Sequence, residues 1–135
     1  MLVDSGAAEN VYPSDGLEDY PTVENQAMRE GRHYVSADGG RIPNRGEKTV
    51  RIVTTEGNKC SLKFQITDVT RPILTVRRIV EKGHEVHFWS GGRGGTIINV
   101  HTGQRTAFVK HGGVYVLDCW VAPGPGLTRQ GRTLL

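Results

Sequence analysis

Asp4 stands directly after an apolar pair, Leu2-Val3, and directly before Ser5-Gly6-Ala7-Ala8. Each residue type in that run suits one chemistry. An aspartate can be half of a carboxylate pair that shares a proton and activates water. A serine hydroxyl beside it can hydrogen-bond the loop backbone and hold it in place. A glycine lets the backbone approach closely, so that two carboxyl groups can lie side by side. Alanine is too small to obstruct a cleft. The Asp-Ser-Gly tripeptide also makes ordinary turns, because Asp and Ser form local hydrogen bonds and Gly accepts positive φ. Two other Asp-Gly pairs, Asp15-Gly16 and Asp38-Gly39, follow no apolar strand residue, and both read as turns.

Other runs have the composition of a site but not its spacing. Gly91-Gly92-Arg93-Gly94-Gly95 lacks the Lys-Ser/Thr of a phosphate loop, and no helix follows it; a hairpin turn is expected. His84 and His87 are three apart, not the four that place two metal-binding histidines on one helical face. On the strand expected there, their rings go to opposite faces. No Gly-x-Ser-x-Gly elbow is present. Cys60 and Cys119 have no nucleophile context and no Cys or His at zinc spacing, so buried thiols in a reducing compartment are expected. Neither a metal nor a cofactor is expected.

The elements that must position Asp4 are short strands. With 18 glycines in 135 residues, the composition favours many turns over long helices. Leu2-Val3 and Val11–Pro13 read as extended. Residues 13–33 are polar and turn-rich, with a short helix read around Val23–Arg29. His33–Ala37 and Arg41–Asn44 flank a hairpin signal at Asp38-Gly39-Gly40. Val50 and Ile52, then Leu62, Phe64 and Ile66, alternate with polar residues as half-buried strands do. After Pro72 the period changes: Ile73, Val76, Ile79 and Val80 predict a helix over Ile73–Lys82, capped at Gly83. Val86 and Phe88, Thr96–Val100, Arg105–Lys110 and Val114–Leu117 read as further strands. The expected domain spans residues 1–121, and residues 122–135, opening with Ala122-Pro123-Gly124-Pro125-Gly126, read as a linker or disordered tail.

The formal charge of +3 is too mild, and too dispersed, to point to nucleic acid; Arg77-Arg78, the one adjacent basic pair, reads as a solvated helix face. No apolar run is long enough to span a membrane, and no signal peptide is read. A cytoplasmic location is expected.

The order of these segments resembles the retropepsin-like aspartic proteases, especially the protease region of copia-type retrotransposons. Val3–Ala8 is similar to the catalytic strand and loop. Tyr34–Gly39 resembles a Val-x-x-Ala-Asp-Gly stretch, Pro72–Ile79 a Leu-Leu-Ser-Val-x-x-Leu segment, and Lys82–Phe88 the Gly-x-x-Val-x-Phe that follows. Gly113–Leu117 resembles the Gly-x-Tyr-x-Leu near the integrase junction. The likeness spans roughly residues 2–121. Where relatives usually carry Gly after the paired apolar residues, this chain has Thr75 after Ile73-Leu74, as copia-type elements have Ser.

The resemblance implies an all-β, closed barrel of the acid-protease type with one short helix. It implies an aspartic endopeptidase acting on an extended peptide, the element's own polyprotein, in the cytoplasm or in virus-like particles. Asp4 would be catalytic, with Ser5, Gly6 and Ala7 supporting the loop. A single Asp motif in a chain this short implies a homodimer with one Asp4 from each protomer at the axis. A flap over the substrate is expected within Tyr34–Gly46, involving Ala37, Asp38, Gly39, Gly40 and Ile42, its tip at either Asp38–Gly40 or Ile42–Arg45. The family carries strand residues before the Asp loop, so a chain with only Met1-Leu2-Val3 there is expected to be truncated and to dimerise weakly. The competing reading is a catalytically inactive module of the same fold that binds a peptide or protein partner; a nucleic-acid-binding module ranks last.

Overall fold

The computed structural model describes residues 1–35 and 39–125. Its largest strands form where the alternation is clearest. β5 (Glu47–Thr54) and β6 (Lys59–Thr67) are an antiparallel hairpin with Ile52 opposite Cys60 and Val50 opposite Leu62. Val50, Ile52, Phe64 and Ile66 point inward and are buried, while Thr49, Arg51, Ser61 and Lys63 point outward and are exposed. Burying such side chains supplies about 1.5–3 kcal/mol each. Lys48 breaks the polar-out pattern. Its aliphatic stem is buried, and its ammonium donates to the carbonyl oxygens of Leu17 (2.7 Å) and Gly16 (3.4 Å).

The hairpin belongs to a ten-stranded sheet with order β12-β5-β6-β2-β7-β1-β11-β10-β9-β8. The remaining strands are β1 (Leu2–Asp4), β2 (Val11–Pro13), β7 (Ile73–Thr75), β8 (His84–Phe88), β9 (Gly94–Asn99), β10 (Arg105–His111), β11 (Val114–Val116) and β12 (Cys119–Val121). β3 (His33–Val35) and β4 (Arg41–Pro43) form a separate two-stranded sheet. The molecule is mostly β, as expected. A closed barrel is not seen: among the described residues β12 and β8 end the ladder without pairing to each other. The core gathers Val3, Tyr20, Val50, Ile52, Phe64, Ile66, Leu74, Ile79, Ile97, Phe108 and Leu117.

Two short helices are present among the described residues, where the resemblance implies one. α1 (Gln26–Arg29) falls within the expected Val23–Arg29 segment and is capped by Asn25, whose Oδ1 accepts from the Met28 N–H at 2.8 Å. α2 spans only Val76–Glu81. The helix expected from Ile73 starts three residues late because Ile73, Leu74 and Thr75 pair in parallel with Leu2, Val3 and Asp4. Strand pairing outweighs the helical period there, and Val80, which that period places inside, is exposed.

The Gly91–Gly95 run turns β8 into β9, as expected for a hairpin. Its last glycine has a packing role as well. A Cβ on Gly95 would lie 2.3 Å from both the His87 carbonyl oxygen and the Phe108 ring, so only a glycine lets Phe108 cross there. His84 and His87 take opposite faces of β8. His84 Nδ1 lies 3.2 Å from the Ile79 carbonyl oxygen and His87 Nε2 lies 2.9 Å from Glu85. Cys60 and Cys119 are free and half-buried, and burial raises both thiols above their ordinary pKa. No described helix is long and apolar enough to cross a membrane.

Residues 122–124 lie against the body. The Tyr20 hydroxyl donates to the Ala122 carbonyl oxygen at 2.5 Å, Arg51 donates to that of Pro123 at 2.9 Å, and the Gly124 N–H donates to the Asp19 carboxylate.

Candidate active site

β1 lies inside the sheet, between β7 on one side and β11 on the other. Leu2 and Val3 pair with Val116 and Tyr115 of β11. Val3 points into the core, so the two-residue period turns Asp4, the last residue of the strand, outward, and Asp4 is exposed. Ser5, Gly6 and Ala8 are exposed and Ala7 is half-buried.

The loop from Ser5 to Asn10 is fixed from beneath. The Gly6 N–H donates to Asp4 Oδ1 at 2.7 Å, which orients the carboxylate. The Thr75 hydroxyl donates to the Ala7 carbonyl oxygen at 2.5 Å. The Thr75 N–H donates to Asn10 Oδ1 at 2.8 Å, and Asn10 Nδ2 donates to the Lys63 carbonyl oxygen at 3.3 Å. Thr75 and Asn10 are both buried, so these bonds are shielded from water.

A charged clamp holds the far end of the loop. Arg78 of α2 donates through Nε to Glu9 Oε2 at 3.0 Å, through a second nitrogen to Glu9 Oε1, and to Glu81 at 2.8 Å. Its hydrogen bonds to Glu9 and then Glu81 raise the Arg78 pKa, and those from Arg78 and then Arg77 hold Glu81 below its ordinary value. Arg78 is therefore half-buried and committed to the loop rather than part of a solvated basic pair.

Ser5 has no side-chain hydrogen bond among the described residues; Thr75 does the bracing. Gly6 does not occupy the left-handed region, and a Cβ there would lie 3.4 Å from Asp4 Oδ1.

β3 and β4 form a separate antiparallel hairpin. His33 pairs with Pro43, Tyr34 with Ile42 and Val35 with Arg41. Ile42 is thus mid-strand, so the tip does not lie at Ile42–Arg45. Gly39 and Gly40 directly precede β4; Ala37 and Asp38 lie outside the described residues. The base of the hairpin is anchored by the buried Asn44, whose Nδ2 donates to Gln65 Oε1 at 2.9 Å and to the Tyr34 hydroxyl at 3.2 Å. Its Oδ1 accepts from the Gly46 N–H at 2.8 Å. Burial raises the Tyr34 pKa. Asn44 and Thr75 carry no sequence signal of these roles, since buried polar residues follow no hydrophobic period.

A cavity of about 930 Å³ reaches Ala8, Glu9, Asn10 and Tyr34 but not Asp4, Ser5, Gly6 or Ala7. Among the described residues no group of three or more His, Cys, Asp or Glu is placed to hold a metal. Among the described residues the Asp4 side chain accepts one hydrogen bond, from the Gly6 N–H, so the site is a single oriented, water-exposed carboxylate. Comparison with family models, with curated proteins and with solved structures returns no match.

Proposed function

We propose that the chain is one half of an aspartic endopeptidase of retropepsin type, with Asp4 from two protomers forming the catalytic pair. The observation that carries this is Asp4 itself: exposed at the end of an internal strand, hydrogen-bonded to Gly6, on a loop braced by Thr75. An exposed, rigidly backed loop suits apposition with a second copy across a two-fold axis. Two carboxyl groups so apposed share one proton, because like charges at short range do not both ionise. The ionised Asp4 takes a proton from water as the water oxygen attacks the scissile carbonyl carbon. The protonated Asp4 donates its proton to the carbonyl oxygen. The tetrahedral intermediate then collapses with proton transfer to the leaving amine. The β3–β4 hairpin is the candidate flap, and an extended polyprotein segment the substrate. The reading is tested by cleavage of an extended peptide library by wild type and Asp4→Asn.

One observation favours the second reading, an inactive peptide- or partner-binding module of the same fold. The large cavity is not lined by Asp4. Binding without cleavage by a verified dimer would select that reading.

A further inference from the structure

β6 is paired unequally on its two sides. One side runs along β5 from Lys59 to Gln65, whereas the other meets β2 only at Gln65, Ile66 and Thr67. On the β2 side the Gln65 N–H donates to the Asn10 carbonyl oxygen at 2.8 Å and the Thr67 carbonyl oxygen accepts from Ser14 at 3.0 Å. The odd-numbered residues of β6 therefore turn their backbone groups away from β5, and by the period of a strand Lys59, Ser61 and Lys63 do too. The Lys63 carbonyl oxygen takes the Asn10 side chain. Among the described residues no strand pairs with the rest of this edge. An unpaired edge is a template for another strand.

The edge opens into the 930 Å³ cavity, which Ser61 and Lys63 line together with the core residues Ile52, Leu74 and Leu117. Cys60 and Leu62 have core-facing parity yet are only half-buried. The other face of the edge carries more cations than anions: Lys59 and Lys63 are exposed, Lys63 sharing Glu47 at 3.2 Å, and Arg51, which also donates to the Pro123 carbonyl oxygen, lies opposite Ser61. A strand added here would send alternate side chains inward among apolar groups and outward beside these cations.

We propose that the Lys59–Lys63 edge is a docking site for an extended peptide, supplied by another molecule, with alternating apolar and acidic side chains. Main-chain pairing supplies affinity, and the two faces of the strand supply selection. Charge disfavours the chain's own residues 126–135, which carry Arg129 and Arg132 and no Asp or Glu. None of Asp4–Ala7 lines the cavity, so the proposal stands independently of the hydrolase reading.

The test is fluorescence anisotropy with a labelled peptide alternating Val and Glu, and with its Val-Lys counterpart, alongside amide exchange measured by NMR. The acidic peptide is expected to bind about tenfold more tightly, since each opposed charge pair across strands contributes a fraction of a kcal/mol. The Ser61 and Lys63 amides should gain protection. Ser61→Pro removes an N–H that β5 does not use, so the variant should fold and lose binding. Lys59→Glu with Lys63→Glu should reverse the preference. Equal binding of both peptides, protection elsewhere, or a folded Ser61→Pro that binds like wild type would overturn the proposal. Protection of Ser61 and Lys63 that rises with protein concentration, without peptide, would assign the edge to a second copy and overturn it equally.

Discussion

Thr75, fully buried, donates its hydroxyl to the carbonyl oxygen of Ala7, 68 residues earlier, at 2.5 Å. The strand that follows Pro72 thereby holds the loop that follows Asp4. Thr75→Val keeps the shape and removes the hydroxyl, leaving the half-buried Ala7 carbonyl short of a partner. A loss of about 1–3 kcal/mol in chemical denaturation is expected, with Thr75→Ser retaining most of the stability. Equal stability of Thr75→Val and wild type would show that the bond does not brace the loop.

Asn44 should matter to the hairpin in the same way. Its side chain joins Tyr34, Gln65 and Gly46 in one buried cluster. Asn44→Ala is expected to cost about 1–3 kcal/mol and to speed amide exchange in His33–Val35 and Arg41–Pro43 more than in β5 and β6. Uniform changes across the sheet would mean that the cluster does not anchor the hairpin specifically.

Acid should loosen the junction between β2, β4 and β6. Hydrogen bonds from Arg45 and then Ser14 lower the Asp68 carboxyl from 3.8 to about 2. Between those values the unfolded chain binds the proton more readily, so this contribution is complete above the unfolded value and is lost as pH falls through the folded one. Denaturation of wild type and Asp68→Asn from pH 5 to pH 2 should show the wild-type advantage shrinking toward pH 2. An advantage constant across that range would contradict the assignment.

The long strands were legible because Val50 and Ile52, then Leu62, Phe64 and Ile66, alternate with polar residues, and four of these five side chains are buried. The start of α2 was not, since Ile73 and Leu74 fit a helical stripe and a buried strand equally well and only pairing with Leu2 and Val3 decides. β12 was missed because it is three residues long, Trp120 and Val121 are exposed, and a Pro/Gly run follows. The position of Asp4 at a strand end was readable from Leu2-Val3. The contacts of Thr75, Asn44 and Arg78 were not, because each reaches a partner that no local pattern announces.

Catalysis by an Asp4 pair is tested by cleavage of an extended peptide library with a sedimentation-verified dimer of wild type, Asp4→Asn and Asp15→Asn. Asn is nearly isosteric with Asp but cannot accept the proton from water. Wild type and Asp15→Asn are expected to cleave and Asp4→Asn is not, with equal thermal stability of all three. Cleavage by Asp4→Asn at the wild-type rate, or none by a verified wild-type dimer, would contradict catalysis by that pair.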